Sequence, residues 1–366
     1  MNLLDCLPSF HRVTPVPRSP SAAHVDLLLL GSGWTSTFVL PLAAEAGLST
    51  AFTTRAGGGG SIKFDFDPKE DDNVEAFRSL PDATTVLIIF PVYEEGGIER
   101  LVRGYLESRD ETGVDRYYDD EKRAKTRDLD TNFVLLGSTG IYDNGPTFAP
   151  HEDLLLSHHK KKKHHKHHDK KPKDPCPDKP SSPWIDESSP YSPLPRAISE
   201  EKLLALSKPN NAVRAKPIST AVLLLCGLWG HGRSVRRYLS RLPGDKNVVR
   251  EMGSVHFVHG RDVGRACVAM AKDFDIAAGK RWILTNQRIY DLWDLSSRFG
   301  SSGEEGRNHP PTGPLPGIVA ELMDETGVKA LPRSAEEMHT LNGSKTLDGR
   351  AFWKAFGLTP DSPWVD

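Results

Sequence analysis

The run Val25-Asp-Leu-Leu-Leu-Leu30, broken by Gly31-Ser-Gly33 and followed by a helix-forming stretch from Thr35 to Ala46, constrains this chain more than any other feature. A segment that is almost wholly apolar suits a strand covered on both faces, as in a parallel sheet. Similar runs recur. Strands are expected at Ser49 to Thr54, Ile62 to Phe66, Thr85 to Phe90, Asn132 to Leu136 and Thr220 to Cys226, with helices over Glu94 to Arg109 and Glu200 to Ser207. Strands alternating with helices give a doubly wound, mainly parallel α/β domain.

Composition narrows the function classes. The formal net charge of -2 over 366 residues supplies no basic field for nucleic acid or an anionic membrane. Four cysteines, Cys6, Cys176, Cys226 and Cys267, contain no C-x-x-C pair, which argues against a disulfide framework or a thiolate zinc site and for a reducing compartment. The apolar runs are too short to cross a bilayer. Residues 1–24 carry His11, Arg12 and Arg18, but Pro8, Pro15, Pro17 and Pro20 interrupt any long amphipathic helix. A flexible arm on a cytoplasmic protein is expected there, with a mitochondrial presequence as the alternative.

One stretch breaks the α/β pattern. Ser157 to Pro180 holds six histidines, four prolines and nine lysines against three aspartates, a net +6 that leaves -8 for the remainder. It has no means of packing a core and reads as a solvated insertion at 157–180, with metal or polyanion binding as the alternative. No metal is expected. The domain thus spans 25–226, and the glycine-rich 227–366 forms a smaller lobe over the carboxyl ends of the strands.

Gly31-Ser32-Gly33-Trp34-Thr35-Ser36 sits where a strand turns into a helix. There the first glycine permits the tight turn, the second lets backbone approach a pyrophosphate, and the helix start offers amides and positive dipole. Ser36 stands where the full dinucleotide fingerprint has a third glycine. The alternative is an ordinary turn that uses glycine only for its dihedrals. The second strand ends at Arg55, with no carboxylate, before Gly57 to Gly60. An arginine suits the 2′-phosphate of NADP, so the cofactor expected is NADP, with NAD also admissible and a plain surface arginine as the alternative.

These pieces resemble, over roughly Val25 to Leu295, the extended and atypical branch of the short-chain dehydrogenase/reductase family, in particular proteins related to nucleotide-sugar epimerases. The resemblance implies that Asp65, closing the third strand, meets the adenine, and that Phe90-Pro91 passes under the nicotinamide ribose. Gly137-Ser-Thr-Gly-Ile-Tyr-Asp143 is similar to the family's turn after the fifth strand, whose hydroxyl, Ser138 or Thr139, bonds a substrate oxygen. Gly227-Leu-Trp-Gly-His-Gly-Arg233 is similar to the substrate-side loop, making Trp229, His231 and Arg233 substrate candidates, with Trp229 equally readable as core. Val255-His-Phe-Val-His-Gly-Arg-Asp-Val263 resembles the stretch whose aspartate braces the lobe; His256 and His259 read as structural, with a metal site or an acid/base pair near Asp262 as the alternative.

The family's Tyr-x-x-x-Lys, in which lysine tunes tyrosine as proton donor, is missing: Tyr142 is followed at that spacing by Pro146 and Tyr191 by Pro195. The helix expected to carry the pair offers Arg196, Glu200, Glu201 and Lys202, and Tyr142 is the nearest candidate donor. Two functions follow. One is an atypical NADP-dependent reductase or epimerase-like enzyme acting on a small hydroxylated or carbonyl metabolite. The other is a non-catalytic NADP(H) sensor or scaffold. The oligomeric state is left open.

Overall fold

The computed structural model describes residues 24–69, 74–110, 130–143, 184–242, 244–299, 314–334, 337–338 and 344–365. The insertion at 157–180 and nearly all of the N-terminal arm lie outside the described residues. Strand β1 (Val25–Leu30) leads into the first helix, Ser36–Glu45, followed by β2 (Thr50–Thr54), β3 (Ile62–Lys63), β4 (Ala83–Ile88), the helix Gly97–Asp110 and β5 (Asn132–Ser138). The helix Pro195–Ala205 precedes β6 (Thr220–Leu225) and β7 (Gly227–Trp229). Then come β8 (Ser254–Val255), β9 (Phe257–His259), the helix Gly260–Lys272, β10 (Arg281–Leu284) and β11 (Tyr290–Asp291).

Seven strands form one sheet in the order β10-β6-β5-β4-β1-β2-β3, and every pair is parallel. Strand order reverses between β1 and β4, so the loops leaving these strands diverge there and open the crevice where such sheets bind ligands.

The apolar runs serve both faces by strict alternation. Leu28 and Leu30 join Val86, Ile88, Leu135, Val222 and Leu224 beneath the helix Gly97–Asp110, while Leu27, Leu29, Leu87, Val134, Leu223 and Leu225 face Val39 and Ala43 of the first helix. Leu27 to Leu30 are at most 1% exposed, and burying each contributes roughly 1.5–3 kcal/mol. The helix Gly260–Lys272 lies against the first helix because Gly264 admits the backbone of Phe38, where a Cβ would come within 3.1 Å.

The chain beyond Cys226 has two destinations. It builds a lobe around Trp229, Leu239, Phe257, Trp293, Val319 and Leu322, and it also returns β10, the helix Gly260–Lys272 and the helix Arg350–Ala355 to the main domain. A boundary at residue 226 therefore cuts through one core, because β6 needs β10 to cover its outer edge. No helix among the described residues is long and apolar enough to cross a membrane.

Candidate functional site

The turn after β1 has the properties its sequence requires. Gly31 adopts φ +94° and its amide donates to Thr53 Oγ1 at 2.8 Å, tying the turn to β2. A side chain there would be strained by its dihedral and would meet the ring of Phe90 at 3.2 Å. Above Gly33 nothing lies within 4 Å of where a Cβ would stand, and Ser32 and Gly33 are exposed. Ser36 closes the turn instead of a third glycine: its hydroxyl accepts from Gly33 N at 3.1 Å and donates to Gly33 O at 2.7 Å. Thr35, at the helix N-cap, makes no side-chain cap bond, so the helix start has backbone amides for an incoming anion.

Trp34 reaches across to the substrate-side loop. Its indole Nε1 donates to Gly230 O at 2.8 Å, its ring meets Phe38 edge-on, and the Arg233 guanidinium lies 4.4 Å from its centroid. The strand-to-helix turn is thereby joined to the substrate-side loop.

Arg55 stands free in water, 91% exposed, with its Nε 4.0 Å from a carboxylate oxygen of the likewise exposed Asp65. Such a surface pair is worth at most about 1 kcal/mol, little hindrance to a competing phosphate. Gly57, Gly58, Gly59 and Gly60 all take positive φ beside it. Asp65 does not close the third strand as expected. That strand ends at Lys63, because Phe64 and Phe66 turn inward to pack with Phe77. Phe90 packs under Gly31 and against Phe66, and Pro91 is exposed.

At the end of β5, Ser138 caps a short 3-10 turn, Thr139–Tyr142, by accepting from Gly140 N at 3.1 Å. Thr139 is buried and its hydroxyl donates inward to Leu225 O at 3.4 Å. A hydroxyl has one proton to give, so Ser138 retains a donor among the described residues while Thr139 has spent its own.

Tyr142, the nearest candidate proton donor in the sequence, lies in the core. It is fully buried, its hydroxyl donates to Asp186 O at 3.2 Å, and burial pushes its phenol far above the ordinary value. Trp229 is also core, 7% exposed and packed on His259, whereas His231 and Arg233 are exposed. His256 is buried with Nε2 accepting from Leu347 N at 2.9 Å, and His259 caps the helix Gly260–Lys272. The brace is Asp262, wholly buried, which accepts from Asp361 N, Ser362 N and Arg265.

The helix Pro195–Ala205 is held against the β5 turn by Ser192, whose amide donates to Ile141 O and whose hydroxyl donates to Asp143 O. Its opening presents Leu194 and Ile198, one turn apart and 43% and 38% exposed, beside Arg196, which donates to Tyr93 OH at 2.7 Å. Neither a phenol nor an ammonium occupies this opening turn.

One turn further, Glu200 is buried beneath the β5 turn. Its Oε1 accepts from Ser138 N at 3.4 Å, and its Oε2 lies 3.3 Å from Arg281 Nε in an ion pair whose angles make no hydrogen bond. A Cβ at Gly137 would meet the Glu200 carboxylate and the Leu224 side chain, so a larger residue there would displace Glu200. The glutamate was visible on its helix in the sequence; its partner was not, because β10 is only four residues long and begins with a charge.

Burial pushes Glu200 up to about 7, against the opposing charges of Arg281 and Arg196 and with the Tyr142 phenol alongside. The native state then keeps a proton that the unfolded chain gives up near 4.5, so stability should fall as pH rises from 4.5 to about 7, by on the order of 3 kcal/mol. Glu200→Gln should flatten the urea midpoint across that window. An unchanged slope would show that Glu200 stays ionised in the fold.

No family model matches the chain, nor does any curated protein. Solved structures do. A putative NAD-dependent epimerase/dehydratase from Methylobacillus flagellatus is 14% identical with a TM-score of 0.50, over 92% of this chain and 93% of that one. The dTDP-glucose 4,6-dehydratase of Bacillus anthracis strain Ames, in complex with NAD, is 9% identical with a TM-score of 0.50, over 93% and 92%. Pal from Bacillus thuringiensis is 10% identical with a TM-score of 0.52, over 92% and 94%. Likenesses at such identity speak to architecture, and they agree with the parallel sheet and its reversal of strand order at β1 and β4. This chain has the Rossmann-type fold that these solved structures share.

Proposed function

We propose that the chain binds a nicotinamide dinucleotide, NADP(H) in preference to NAD(H), and presents it to a small hydroxylated or carbonyl metabolite. The observation that carries this is the open turn: Gly31 at φ +94°, empty space above Gly33, and a helix start without a side-chain cap. Phosphates would rest on the amides there, Arg55 would meet a 2′-phosphate, and Phe90 would support the turn from below. The cofactor supplies hydride chemistry when bound. Ser138, with a proton still to give, would hold the substrate oxygen at the end of β5.

A second reading, a nucleotide sensor or scaffold, is favoured by one observation. Tyr142 is buried, and the opening turn of the helix Pro195–Ala205 shows leucine and isoleucine where the resemblance expects a phenol and an ammonium.

Thermal shift with NAD, NADH, NADP and NADPH tests the binding, since a ligand of the native state raises the melting temperature by mass action. Arg55→Glu should weaken NADPH at least about tenfold and leave NADH nearly unchanged, because a charge-assisted pair is replaced by repulsion. Equal affinities for NADPH in the variant and the original protein would remove Arg55 from the site. NADPH oxidation with a substrate panel, lost in Ser138→Ala, separates the enzyme from the sensor.

A further inference from the structure

The substrate-side loop contains a guanidinium whose surroundings fit a different ligand from the one expected of it. Gly230 to Arg233 form a two-residue hairpin: Gly230 N donates to Arg233 O at 2.7 Å, Arg233 N returns to Gly230 O at 3.1 Å, and His231 and Gly232 both take positive φ. This is the tight primed turn whose backbone has little freedom. Gly230 is obligatory, since a Cβ there would run into the His259 ring. The same Gly230 carbonyl accepts the Trp34 indole, which hooks the hairpin to the residue next to Gly33.

Arg233 is therefore fixed at its backbone by the hairpin and at its head by the face of Trp34, 4.4 Å from the ring centroid. It has no carboxylate partner among the described residues. Instead, besides partial burial, the like charges of Arg241 and Arg237 disfavour its charged form. A cation that is stacked, crowded by other cations and without a counter-ion is arranged to receive an anion. The open turn at Gly33 lies one residue before Trp34, on whose ring Arg233 rests.

We propose that Arg233 closes over the cofactor's diphosphate from the lobe side, opposite the helix amides, so that the lobe contributes directly to nucleotide binding. The inference rests on the cofactor reading above and assigns to the dinucleotide a residue that the sequence placed with the substrate. It makes the Gly230 hairpin and the Gly31 turn two halves of one diphosphate clamp.

Calorimetric titration of the purified chain with NADPH, ADP and adenosine 2′-monophosphate tests it, comparing the original protein with Arg233→Gln and, as a control on the following helix, Val235–Leu239, Arg237→Gln. Arg233→Gln should weaken NADPH and ADP by about 10- to 100-fold, the range of a lost charge-assisted bond. Adenosine 2′-monophosphate, which has no diphosphate, should change by less than about twofold, and Arg237→Gln should leave all three within about threefold. The variant's melting temperature without ligand checks its folding. If the original protein binds NADPH and Arg233→Gln binds it equally well, the clamp is wrong while the cofactor site stands. If all three ligands weaken alike, Arg233 acts only through the general field and the clamp is equally wrong. Failure of the original protein to bind NADPH would overturn the cofactor reading, and the clamp with it.

Discussion

Asp291→Asn is expected to lower the unfolding free energy by about 3–5 kcal/mol, read as a fall in the urea midpoint, the cost of breaking a buried pair from one side. Asp291 has no exposed side-chain surface and Arg333 only 3%. The carboxylate is fully engaged: Oδ1 accepts from Trp293 N at 2.8 Å and Arg333 Nη2 at 2.6 Å, and Oδ2 accepts from Arg333 N at 2.8 Å and Nε at 3.0 Å. Arg333 also donates to Met252 O and covers the Trp293 ring at 3.9 Å. Arginine does not give up its proton in a protein, so removing the carboxylate strands a cation in the core of the lobe. Replacing both, as Asp291→Leu with Arg333→Met, should recover only part of the loss, because the stranded cation is gone but the Trp293 and Arg333 amides still lose their acceptor. A single variant within about 1 kcal/mol of the original protein would mean that water reaches Arg333. The Glu200 and Arg281 pair differs in kind: its carboxyl can take up a proton and so soften the loss of its partner.

Gly33→Glu should leave the unliganded melting temperature nearly unchanged and abolish stabilisation by NADPH, with affinity reduced by roughly 100-fold or more. The position allows so clean a separation because its φ is not in the left-handed region and no atom stands within 4 Å of a Cβ there. Folding has no use for the empty space, whereas a diphosphate would. A carboxylate introduced beside it sets like charge against like charge, at a cost of several kcal/mol. Retained NADPH stabilisation in this variant would mean the nucleotide lies elsewhere. At Gly31 the two effects would be confounded, since any side chain strains the turn itself.

What the sequence disclosed follows from how each residue is used. Strands β1, β4, β5 and β6 were legible because central parallel strands are apolar on both faces, and β1 matched its expected limits, Val25–Leu30. Helix Pro195–Ala205 starts five residues earlier than Glu200, because Pro195 fits the first helical position, where its missing amide costs nothing. Strand β10 escaped notice: Arg-Trp-Ile-Leu is short, and its place is decided by pairing with β6, a distant partner. Among the candidate site residues, the turns that hold Gly31, Gly33 and Ser138 could be placed because such turns are local to the sequence. Tyr142 and Trp229 could not be sorted, since whether an aromatic ring faces the core or the solvent is decided by neighbours remote in the chain. Arg233 was seen, but its stacking on Trp34 required the hairpin to reach across to the first helix.

The two rims of the sheet carry a final consequence. At one, β3 pairs for only two residues. At the other, the Ile283 amide of β10 donates to Glu187 at 3.3 Å, and the helix Arg350–Ala355 covers the strand's end, with Trp353 donating to Thr285 O. A newcomer strand finds too short a template on one side and a carboxylate already in place on the other. Among the described residues, fibril-like growth by sheet extension is thus opposed at both ends.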